Sequence, residues 1–177
     1  SEVEDIKRRL EKIIEDWRRK SKELEKRLED IIDEWDKRSR KLKEDLKRII
    51  EEARKAVDDG IDREEVKELK KRLEDEIEKI RETDREIEKR VDEAIREAEE
   101  RDKEIAERVK DTLEKLRKAG VDEKVIKEAE DLLRELNESS RRVAKKAKDD
   151  LRELNERSRR ALKEIRELLR EVRERVE

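Results

Sequence analysis

Cysteine, histidine, methionine, proline, phenylalanine and tyrosine are all missing from this chain. Without cysteine there is no disulfide framework, no thiolate nucleophile and no zinc-ribbon spacing, and the redox compartment is left open. With no histidine or cysteine, and no suitably placed lysine to deprotonate a serine, nucleophilic catalysis lacks its base and the chain is read as a non-enzyme. No run of apolar residues is longer than two, which excludes a transmembrane span and a signal-peptide core. Lysine and arginine (54) nearly balance aspartate and glutamate (57), for a net charge of −3. The two signs alternate instead of forming blocks, so no basic field is available to nucleic acid or an anionic membrane. No cofactor, metal or partner is implied, and the chain is expected to be soluble.

What is present is charge and a few helix formers. Charged residues make up 63% of the 177 positions and apolar ones 31%, a balance that resembles a disordered polyampholyte. Disordered chains lack periodic apolar positions, whereas here Leu, Ile and Val recur at spacings of three and four. The charges therefore coat helices. Along the first of them Leu10, Ile13, Trp17 and Ser21 return as Leu28, Ile31, Trp35 and Ser39, and again as Leu46, Ile49, Ala53 and Val57. The period is 18 residues, or five turns at about 3.6 residues per turn, so the stripe runs parallel to the helix axis and imposes no supercoil.

The only two glycines, Gly60 and Gly120, divide the chain into near-equal thirds. Gly60 suits the left-handed position that ends a helix, and Asp62 with Glu65 forms a capping box that opens the next. Gly120 and Asp122 repeat the helix-ending glycine and the N-cap, though Val125 stands where the box Glu would be. Ile61 with Val66 and Val121 with Ile126 fill the positions of hydrophobic staples, and Ser1 with Glu4 makes a capping box at the start. The predicted fold is all-α: one antiparallel up-down-up three-helix bundle over 1–177, elongated and untwisted, with helices over about 2–58, 62–118 and 122–176. Each helix is roughly 85 Å long at 1.5 Å per residue.

Polar residues interrupt the apolar stripes at regular intervals. With the first turn centred near residue 60, facing positions on the first two helices sum to about 119, which sets Trp35 level with Asp84 and Trp17 level with Asp102. The third helix runs parallel to the first at an offset near 120. That brings Asn137 and Ser140 level with Trp17 and Ser21, and Asn155 and Ser158 level with Trp35 and Ser39. Two copies of one polar layer emerge, about 27 Å apart. The next repeat places Ala53, Val57, Val66, Val172 and Val176 at the equivalent positions, so the end near the first turn is apolar. An indole N–H only donates and an ionised carboxylate only accepts, so each Asp is expected to accept from its level Trp and from Asn or Ser across the core. No cationic side chain occupies the stripe, and the expected donors are neutral, which should raise the pKa of a buried Asp.

The sharper readings of these residues are weak. Asp84 and Asp102 stand too far apart to share a metal, and one carboxylate among neutral oxygens is a poor ligand set. Trp17 and Trp35 lie on the core stripe, which favours packing over a stacking platform or interface hot spot. Arg141, Arg142, Lys145, Lys146 and Lys148 could imitate a basic amphipathic target helix, but acidic neighbours on adjacent helices and the absence of large apolar anchors favour a solvated face.

With its 18-residue repeat, its turns Asp58-Asp59-Gly60-Ile61-Asp62 and Lys118-Ala119-Gly120-Val121-Asp122, and its matched polar layers, the whole chain resembles computationally designed straight three-helix bundles carrying modular buried hydrogen-bond networks. The resemblance implies a stable scaffold with no evolved activity, expressed in a host cytoplasm, whose networks enforce specificity. Ser1 in place of an initiator Met is what removal of an upstream tag would leave. Among natural folds the chain is similar to spectrin-like repeats, which also use core Trp, but it departs from them in period and helix length. A monomer is expected; the alternative is an interaction module that self-associates or captures a partner helix through the polar layers.

Overall fold

A computed structural model describes residues 1–176, and side chains as far as residue 175, so the Val176 side chain of the apolar end lies outside the described residues. Three α-helices account for nearly all of it: α1 (Glu2–Asp58), α2 (Arg63–Lys118) and α3 (Glu123–Val176). Each helix starts and stops where local chemistry dictates. Asp62 accepts the Glu65 backbone N–H at 2.9 Å and Asp122 that of Lys124 at 3.2 Å, while Ser1 accepts that of Glu4 at 3.3 Å. These are donors that a helix N-terminus would otherwise leave unpaired. Helices α2 and α3 accordingly begin one residue later than the periodicity alone suggests, because Asp62 and Asp122 are caps outside the helix.

At the C-termini Gly60 and Gly120 hold φ of +84° and +79°, a backbone state that costs other residues a steric clash at Cβ. The second turn closes with both bonds of a Schellman motif: Val121 N–H donates to the Leu116 carbonyl and Gly120 N–H to that of Arg117, each at 3.1 Å. The first turn shows the Gly60 to Val57 bond at 3.3 Å.

The chain forms two compact units, each assembled from all three helices. The first comprises Ser1–Asp30 and Val91–Lys148, so the start of α1 lies against the end of α2 and the start of α3. Its core gathers Leu10, Ile14 and Trp17 from α1, Ile105, Val109, Leu113 and Leu116 from α2, and Ile126, Ala129 and Leu136 from α3. The second unit comprises Ile31–Arg90 and the described residues of α3 from Asp149 onward. There Leu46, Ile49 and Ala53 pack with Leu69, Leu73 and Ile80 and with Ile165, Leu168 and Val172. In both, α1 is antiparallel to α2 and parallel to α3. The apolar end belongs to the second unit, where Ala53 and Val172 are buried and Val57 and Val66 pack at its edge.

Ion pairs link the helices at the surface, as in Arg27–Glu97 at 2.9 Å and Arg90–Glu34 at 2.7 Å. Exposed pairs of this kind contribute about 0 to 1 kcal/mol each, whereas a fully buried Leu, Ile or Val contributes about 1.5 to 3 kcal/mol. The apolar interior therefore holds each unit together, and the charges govern its surface.

Candidate functional site

The polar groups that the helices carry inward centre on one Trp–Asp pair in each unit. In the first, Trp17 is fully buried and its Nε1–H donates to Asp102 Oδ1 at 2.7 Å. In the second, Trp35, only 2% exposed, donates from Nε1 to Asp84 Oδ1 at 3.0 Å. Both bonds run from α1 to α2. They can form because Trp lies on the apolar stripe of α1 at the height where α2 turns an Asp inward, and the indole spans the remaining gap while filling core volume.

Beyond that shared bond the pairs differ. The sequence stripe contains no cation and leads to neutral donors alone around each Asp; at Asp102 the structure corrects this. Arg101 Nη2 donates to the same Oδ1 at 3.2 Å, and its Nη1 donates to the Lys20 backbone carbonyl at 3.3 Å. The physical reason is helical geometry. Arg101 sits one position before Asp102, on the flank of α2 that faces α1, and a guanidinium is long enough to reach back to a carboxylate it adjoins. The Asp102 carboxylate is thus paired with a half-buried cation. Asn137 is not among the groups bonded to it, and Ser140 Oγ and Ser21 Oγ are buried with no partner among the described residues.

Asp84 does have neutral partners. Buried Ser158 donates its hydroxyl to it from α3, in addition to the indole of Trp35. Desolvation disfavours the ionised form and pushes the carboxyl above the ordinary aspartate value of 3.8; the bonds from Ser158 and Trp35 oppose that rise without cancelling it. Ser39 and Asn155 are half-buried on α1 and α3 of the same unit. The position equivalent to Arg101, one repeat earlier in α2, is Thr83, which is buried and carries no charge. The two carboxylates thus differ in their neighbours: Arg101 pairs with Asp102, whereas the uncharged Thr83 precedes Asp84.

Sequence reasoning also passes over Glu76. It is 6% exposed, with Oε1 taking a bond from Lys79 at 3.3 Å and Oε2 buried without a partner. A signal for it exists, since its counterpart in the next repeat is Ala94, which is buried. A charged residue at an Ala-equivalent flank position is carried inward by the helix whatever its polarity.

Chemically these sites can donate, accept and hold a proton. Ser158 beside Asp84 has no imidazole to take its hydroxyl proton, and the chain has none to offer. Among the described residues no three Asp, Glu, His or Cys side chains converge as a metal site, and no helix is long and apolar enough to cross a membrane.

No family model matches the chain, and no curated protein does. A search of the solved structures matches a chain described as "Computationally designed three helix bundle", at 17% identity over 99% of this chain and 87% of that one, with a TM-score of 0.42.

Proposed function

We propose that this chain is a designed structural scaffold whose work is to fold to one specified helix arrangement, with the interior Trp–Asp pairs fixing the register of α1 against α2. The observation that carries this reading is the recurrence of one inward-facing donor–acceptor bond, Trp17 to Asp102 (buried) and Trp35 to Asp84 (half-buried), at positions one full repeat apart on both helices. A stripe of Leu and Ile tolerates sliding, because one apolar contact replaces another. A buried indole opposite an inward-facing carboxylate does not, since a slipped register leaves both unsatisfied at a cost of about 1 to 3 kcal/mol per group. No large apolar side chain is exposed among the described residues, which favours a monomer over self-association.

The test is to remove both pairs at once with Trp17→Phe, Trp35→Phe, Asp84→Leu and Asp102→Leu, and to follow sedimentation at two concentrations. The scaffold reading expects the parent to run as one 21.6 kDa species. It expects the fully apolar variant to remain helical and at least as stable, but to spread over several assemblies. Buried polar groups seldom add net stability, and fixing register is their best-attested use. An apolar variant that stays a single monomeric species would remove the register role. A parent that is itself a dimer or trimer would favour the alternative of an interaction module.

A further inference from the structure

A cleft of about 660 Å³ opens between α2 and α3 in the first unit. Its cause is readable in the repeat. Ala98 and Ala144 line it, and one repeat away in the second unit the same positions are Ile80 and Leu162, both packed into that core. The interior that two larger side chains fill in one unit is left open in the other. Asp102 also lines the cleft, as does Ser140, whose hydroxyl is buried with no partner among the described residues. The rim is cationic. Lys103, Arg141, Lys145 and Lys148 border it, with Glu99 as the one acidic residue among the exposed lining side chains.

We infer that this cleft is a binding site for a small amphiphilic anion: a flat aromatic or aliphatic body seated on Ala98 and Ala144, a hydrogen-bonding group that Ser140 or Asp102 can meet, and an anionic group held by the Lys145 and Lys148 side of the rim. The volume lies in the range of pockets that enclose ligands of drug size, and an apolar wall with a few converging polar groups is their usual lining. The four cations select a negative ligand and make its binding sensitive to salt. None of this depends on the register role of the Trp–Asp pairs.

The probe is 8-anilinonaphthalene-1-sulfonate, which combines an aromatic body, an N–H donor and a sulfonate, and whose fluorescence rises on leaving water. The folded parent should bind one dye per chain saturably. Ala144→Leu and Ala98→Ile, which import the side chains of the second unit, should each weaken binding by about tenfold or more. Because such dyes also light up on loosely packed chains, each variant is checked for unchanged helicity and cooperative unfolding. The double charge reversal Lys145→Glu, Lys148→Glu alters exposed residues only, so it keeps the inference testable even where a filled variant fails to fold. It should weaken binding several-fold and flatten the salt dependence. A parent that binds no dye saturably, or filled and charge-reversed variants that bind as the parent does, would overturn the assignment.

Discussion

Asp84 and Asp102 carry the same carboxylate into surroundings that treat it differently. Arg101 neutralises Asp102 across 3.2 Å, while Asp84 has only the indole of Trp35 and the hydroxyl of Ser158. Removing Asp84 leaves those donors without an acceptor, so Asp84→Leu should destabilise the fold by about 1 to 3 kcal/mol, read as a lower denaturant midpoint; an unchanged midpoint would contradict the bonding described. The pH dependence follows from the raised pKa. Folded Asp84 holds its proton over a window above 3.8 in which the unfolded residue has lost it. Stability from this site is therefore fully present below that window and is lost as pH rises through the folded pKa. Measured against Asp84→Asn, which cannot titrate, the parent should gain relative stability as pH falls from 7 toward 4. A flat difference, or a slope of the opposite sign, would show that burial does not govern this carboxyl.

At the scale of the element, each helix is long, highly charged and bounded by caps that a sequence displays openly. Gly and Asp at fixed offsets, with a periodic stripe between them, leave little freedom for α1, α2 and α3 to start or stop elsewhere. A Cβ on Gly120 would meet no atom within 4 Å, so Gly120→Ala should cost about 1 to 2 kcal/mol through its φ of +79° alone. Asp62→Ala should cost about 0.5 to 2 kcal/mol by freeing the Glu65 N–H. Both losses would be read by thermal or chemical denaturation, and a variant as stable as the parent would contradict the corresponding cap. The interior partners were less legible than the ends. Heights along the stripe follow from turn length and rise per residue, whereas Arg101 and Glu76 sit on flanks where Arg and Glu are ordinary, and only the packed neighbour decides whether such a side chain turns inward. The cleft beside Ala98 and Ala144 depends in the same way on what the facing helix brings, which periodicity within one helix does not report.

At the scale of the whole molecule, 63% charged residues with a net charge of only −3 produce a surface laced with ion pairs around modest apolar interiors. Because most of the pairs are exposed, screening them in 1 M salt should change stability little, by about 1 kcal/mol or less as read by denaturant titration. A large loss would mean that charge, and not burial, holds the units together. In the proposed role, the indole-to-carboxylate bonds tie α1 to α2 in one register. With Trp17 and Trp35 the only tryptophans, that role is tested most directly by hydrogen exchange of the two indole N–H resonances in the parent and in Asp84→Leu. Both should be strongly protected in the parent, exchanging only through large-scale opening. Asp84→Leu should shift the Trp35 resonance and speed its exchange while leaving that of Trp17 in place. Indoles that exchange at the rate of exposed tryptophan, or a Trp35 signal indifferent to the loss of Asp84, would contradict the account.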